Sequence, residues 1–143
     1  MNIAPLKGKT AFASTMRSGK RFTGQLITGI VKFRSQSESV DRTTVESDIL
    51  RITLGVSIRK KTAKKATVRN RAKRLLRQSV RMIIREFADA GYFADGNPFD
   101  RVILFCNSAP ATASQMHIAD ILSDVRAVLQ SAFDYSQKYS LVQ

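Results

Sequence analysis

The chain has 143 residues, 43% of them hydrophobic, which suits one ordinary domain with a real core and excludes a charged disordered tail. Lys and Arg number 24 against 11 Asp and Glu, and the net charge of +13 points to a polyanionic partner, either nucleic acid or an anionic membrane. No apolar run approaches the roughly 18 residues of a membrane span, no secretory core stands near the N-terminus, and a single cysteine, Cys106, excludes an internal disulfide framework and a Cys-rich zinc site. A cytoplasmic location is expected.

A short helix is expected over Thr10–Arg17 (TAFASTMR), ended by Ser18-Gly19. Phe22–Phe33 (FTGQLITGIVKF) has the content of a strand, weakened by two glycines. Residues 35–48 (SQSESVDRTTVESD) are polar and read as a mobile loop. Ile49–Ile58 (ILRITLGVSI) is a second strand, and Arg59–Lys65 (RKKTAKK) is a basic connection. A long helix follows over about 66–88, then a turn-rich loop over 90–100 (AGYFADGNPFD). Arg101–Cys106 (RVILFC) reads as a buried strand and 107–113 as a loop. The last helix runs from about Ser114 to Phe133, with Met116, Ile121, Leu122, Val125, Val128, Leu129 and Phe133 on one stripe. Strands interleaved with helices make a single α/β or α+β domain.

The charge is concentrated. Residues 49–85 hold 13 basic side chains and no acid, whereas residues 86–143 hold three basic and seven acidic. On a helical wheel of residues 66–88, Val68, Ala72, Leu75, Leu76, Ser79, Ile83 and Phe87 share one half. Asn70, Lys73, Arg74, Arg77, Arg81 and Arg85 share the other, with Arg69 and Arg71 at the borders and Ile84 interrupting the basic face. The apolar half packs on a sheet. Like charges four residues apart disfavour a helix by about 0.2–0.5 kcal/mol per pair. A bound phosphate relieves that cost, and guanidinium groups grip phosphate bidentately. A solvated helix face usually mixes its signs, and a membrane-surface helix would need the apolar half that the core already uses. Physics alone does not choose between DNA and RNA. Asn70 either contacts a base edge or is an ordinary polar residue of the first helical turns.

Arg69-Asn70-Arg71, then Lys73-Arg74, then Arg77, follow a strand ending in Val56-Ser57 with Lys60-Lys61 behind it. This pattern closely resembles the R-N-R helix of the bacterial ribonuclease P protein family. Phe12, seven residues before Gly19, and Asp100, opening an apolar strand, fit the same pattern, which covers roughly residues 6–133. The resemblance implies an α+β single compact domain over 1–143, of order αβββαβα, with a core over about 6–133 and a C-terminal tail over 134–143. A central mixed sheet would be packed by helices, with an unusual left-handed β-α-β crossover. It implies the protein subunit of a ribonucleoprotein that removes the 5′ leader of precursor tRNA, the hydrolysis being carried out by the RNA subunit with Mg²⁺. Lys60, Lys61, Arg69, Asn70, Arg71, Lys73, Arg74 and Arg77 would contact the RNA subunit. A leader cleft would be lined by Phe12, Met16, Ile30 and Ser57. The family often carries aromatic residues where Met16 and a position near Ile30 fall here, so leader binding would lean on charge and apolar contact. A family glycine in the loop after Ser57 is replaced, with Ala63 the position nearest to it. A structural RNA-binding protein of ribosomal type is the alternative; a membrane or DNA partner is not expected.

Nothing in the chain forms a catalytic constellation of its own. His117 reads as an exposed helix residue and Cys106 as a small buried side chain. Asp120 and Asp124 read as a solvated helix face, and Asp100, Asp120, Asp124 and Asp134 have no metal-ligand spacing. No metal site in the protein is expected.

Overall fold

The computed structural model describes residues 2–34, 51–107 and 116–140. In chain order the elements are β1 (Asn2–Pro5), α1 (Lys9–Ser18), β2 (Lys20–Thr23), β3 (Ile27–Phe33), β4 (Arg51–Ser57), α2 (Ala66–Asp89), β5 (Phe99–Cys106) and α3 (Ile118–Ser140). The readings of 35–48 as a loop, of Ile49 as a strand start, of 108–113 as a loop and of Ser114 as a helix start lie outside the described residues.

The five strands make one mixed sheet of order β1-β4-β5-β3-β2. β1, β4 and β5 run parallel; β3 is antiparallel to β5 and β2 to β3. β4 and β5 are therefore parallel neighbours joined through α2. β5 is the central strand and is covered on both faces, which explains its unbroken apolar run. Alternation assigns the faces. Ile27, Val31, Ile52, Leu54, Val102 and Leu104 join the core beneath α2 and α3. Ile30 and Gly55 lie opposite Ile103 on the other face, under α1.

Four differences from the sequence reading have physical causes. A strand, β1, precedes the expected first helix; it is short and, among the described residues, pairs only with β4. Gly8, at φ 92°, occupies the positive-φ region that glycine enters freely, and so turns the chain from β1 into α1. The strand expected over Phe22–Phe33 is a hairpin, β2 and β3. Its turn is held by Asp124 of α3, whose carboxylate accepts the N–H groups of Gln25 at 3.0 Å, Leu26 at 3.0 Å and Ile27 at 2.6 Å. Asp124 is thus a turn anchor rather than part of a solvated face. The expected tail after Phe133 is helix to Ser140, because Tyr135 stacks on Phe33 with centroids 5.6 Å apart and meets Phe22 edge-on at 5.8 Å. Finally, Ile84 does not interrupt an exposed face: it is 2% exposed, and Val80 beside it is fully buried. α2 packs against α3 as well as the sheet, so its buried arc is wider than one partner requires.

Candidate nucleic-acid interface

α2 starts without a side-chain cap, and Lys65 precedes its first residue. Its N-terminal approach is organised by a turn in which the N–H groups of Thr62 and Ala63 donate to the carbonyl of Arg59. Lys60 and Lys61 stand exposed on this turn. Ala63 is buried, and among the described residues none other than glycine has positive φ, so Ala63 sits there without backbone strain.

The expected RNA-contacting residues divide into two groups. Arg69 and Arg71, at the borders of the wheel, are half-buried and turned inward. Nη1 of Arg69 donates to the carbonyls of Ala63 and Lys64, each at 2.8 Å, and so ties the basic turn to the first turn of α2. Nε of Arg71 donates to the carbonyl of Met116 at 2.7 Å and ties α2 to the entry of α3. Asn70, Arg74 and Arg77 are exposed and Lys73 is half-buried; none of the four side chains has a hydrogen-bond or ion-pair partner among the described residues. The outward basic surface is therefore Lys60, Lys61, Asn70, Lys73, Arg74 and Arg77, with Arg69 and Arg71 bracing it. Arg81 and Arg85 continue it.

The other sheet face carries a second feature. Lys9, Phe12, Ala13, Met16 and Arg17 of α1 line an open groove. Phe12 meets Phe105 of β5 edge-on, with centroids 6.3 Å apart at 88°. Gly55 makes room for that ring: a Cβ there would lie 3.3 Å from Cε2 of Phe12 and 3.2 Å from Cδ2 of Leu6. Ser57 is directly opposite Phe105 across the β4–β5 ladder, so it belongs to the same surface. Ile30 does not, although it was expected in the cleft. It is 2% exposed, because the end of α1 at Gly19 covers it. Phe105 was missed. The signal was there in the alternation of β5, which puts Phe105 on the same face as Ile103 and Arg101.

Other reactive groups are structural. Burial pushes the Cys106 thiol up to about 11. His117 is exposed just before α3, and its carbonyl accepts the N–H of Asp120 at 3.1 Å. Among the described residues no three His, Cys, Asp or Glu side chains are grouped to hold a metal ion.

A mixed sheet with an arginine-rich crossover helix on one face and an aromatic groove on the other defines a nucleic-acid-binding class of protein. The Ribonuclease P family model matches residues 2–132, and the chain belongs to that family. It is thereby a protein of tRNA processing. Two solved structures share its fold. The Staphylococcus aureus RNase P protein is 16% identical, with 90% of this chain and 94% of that chain covered and a TM-score of 0.53. A mutant of that protein, described as defective in mRNA degradation activity, is 16% identical, with 90% and 86% covered and a TM-score of 0.54. No curated protein matches the chain. Among the described residues no helix is long and apolar enough to cross a membrane.

Proposed function

We propose that the chain is the protein subunit of ribonuclease P, docking through α2 on the catalytic RNA and holding the 5′ leader of precursor tRNA in the groove beside α1. The observation that carries this reading is the placement of two unlike surfaces on opposite faces of one sheet. One is a helix face of cations that have no partner among the described residues, suited to the phosphates of a structured RNA. The other is a groove with Phe12 at its wall and Lys9 and Arg17 at its rim. Aromatic stacking accepts any base and rim cations follow a backbone, which suits a single strand of variable sequence.

In this reading the protein binds and positions, and the RNA performs the hydrolysis. The Mg²⁺ that the reaction uses is assigned to the RNA subunit in this reading. Cys106 is buried and protonated at neutral pH, so it supplies no nucleophile. The site of action is the cytoplasm. The test is cleavage of precursor tRNA by a bacterial ribonuclease P RNA at low Mg²⁺, with and without this protein. Stimulated cleavage at the correct 5′ end is the expected result. No stimulation, with tight binding to ribosomal RNA instead, would favour a structural RNA-binding protein.

A further inference from the structure

Lys73, Arg77, Arg81 and Arg85 follow one another at intervals of four along α2, so they stand on one ridge, about 18 Å long at 1.5 Å per residue. The R-N-R pattern accounts for the first two only. Arg77, Arg81 and Arg85 are exposed, and none has a carboxylate partner among the described residues. The nearest acid in sequence, Glu86, is engaged elsewhere: its oxygens accept from Nε of Arg126 at 3.1 Å and Nη2 of Arg126 at 2.8 Å. The helix dipole does not explain the row, because it acts within the last turn and the last turn of α2 has no basic residue. Arg69 and Arg71 meanwhile direct donors at backbone carbonyls. The outward charge of α2 is thus displaced from the motif toward the C-terminal half of the helix.

We infer that Lys73, Arg77, Arg81 and Arg85 form one phosphate-tracking ridge, and that Arg81 and Arg85 grip the backbone of an RNA strand beyond the reach of the motif. The inference rests on the reading of α2 as the RNA-docking helix and extends its footprint by two turns. The occupant is RNA because a row of guanidinium groups complements successive phosphates, each gripped bidentately and without base selection.

The test is the salt dependence of binding to a bacterial ribonuclease P RNA transcript. Both arginines are exposed, and glutamine keeps helix propensity close to that of arginine. In Arg81→Gln/Arg85→Gln the slope of log K against log salt should become shallower by about 1.4–1.8, the share of two phosphates. Arg81→Lys/Arg85→Lys should keep the wild-type slope, as should Lys7→Gln/Lys138→Gln, which removes two charges elsewhere. An unchanged slope in the glutamine pair, or an equal change in the Lys7/Lys138 pair, would overturn the inference. Arg74→Gln/Arg77→Gln separates the two levels. If it flattens the slope while the Arg81/Arg85 pair does not, only the extended ridge fails. If neither pair does, α2 is not the RNA face at all. Binding to anionic lipid vesicles that is lost in Arg81→Gln/Arg85→Gln, with the RNA slope unmoved, would assign the row to a lipid surface and overturn it too.

Discussion

Arg71 and Arg74 belong to one sequence pattern and do different work. Arg71 is half-buried with a 2.7 Å bond to a backbone carbonyl, whereas Arg74 is exposed and unpartnered among the described residues. Arg71→Ala should lower the free energy of unfolding by about 1.5–3 kcal/mol, the usual worth of a hydrogen bond to a charged group. Arg74→Ala should leave it within about 0.5 kcal/mol of wild type. Urea denaturation of the free protein separates the two without any RNA. Cys106 makes a second residue-scale prediction. Its thiol is raised from 9.0 to about 11, so the unfolded chain ionises first as pH rises. The stability that this thiol contributes is complete below pH 9.0 and declines toward about pH 11. The gap in urea midpoint between the protein and Cys106→Ala should narrow across that window.

Among the elements, the hairpin of β2 and β3 depends on α3. Three backbone N–H groups converge on the Asp124 carboxylate across about a hundred residues of chain. Asp124→Ala should cost about 2 kcal/mol, and Asp124→Asn less, because an amide still offers one acceptor. Thermal melts of the two variants check the order. This anchor was illegible in the sequence, where Asp120 and Asp124 share a helical spacing and only tertiary structure tells them apart. The long elements were legible because their periodicity is local: α2 was expected over about 66–88 and spans Ala66–Asp89. The break between β2 and β3 was not, since Gly24 and Gly29 are equivalent in sequence and only the first lies by the turn. β1 was hidden for a related reason: four residues carry too little pattern, and their partner lies about fifty residues away. In the candidate site, Phe12 and Met16 both line the groove beside α1. Ile30 does not, because nothing in a strand pattern says which face a neighbouring helix will cover.

For the whole molecule, the two surfaces proposed to bind RNA lie on opposite sides of the sheet and should fail independently. Arg74→Ala should weaken affinity for the RNA subunit more than affinity for the leader, and Phe12→Ala the reverse. Binding of the RNA subunit alone, and of precursor against mature tRNA by the assembled particle, reads the two losses. Equal loss of both affinities in both variants would remove the two-surface arrangement. The strand order has a consequence for biosynthesis. β5 lies between β4 and β3, yet it is the last described strand to leave the ribosome. Until residue 106 has cleared the exit tunnel, the pair β1–β4 and the pair β2–β3 cannot be joined into one sheet, and Asp124, which holds the β2–β3 turn, emerges later still. Each pair shows a bare hydrogen-bonding edge where β5 will insert. A chain stalled or cut short before β5 is complete therefore leaves the inner edges of β4 and β3 without their common neighbour, open to mispairing with other chains.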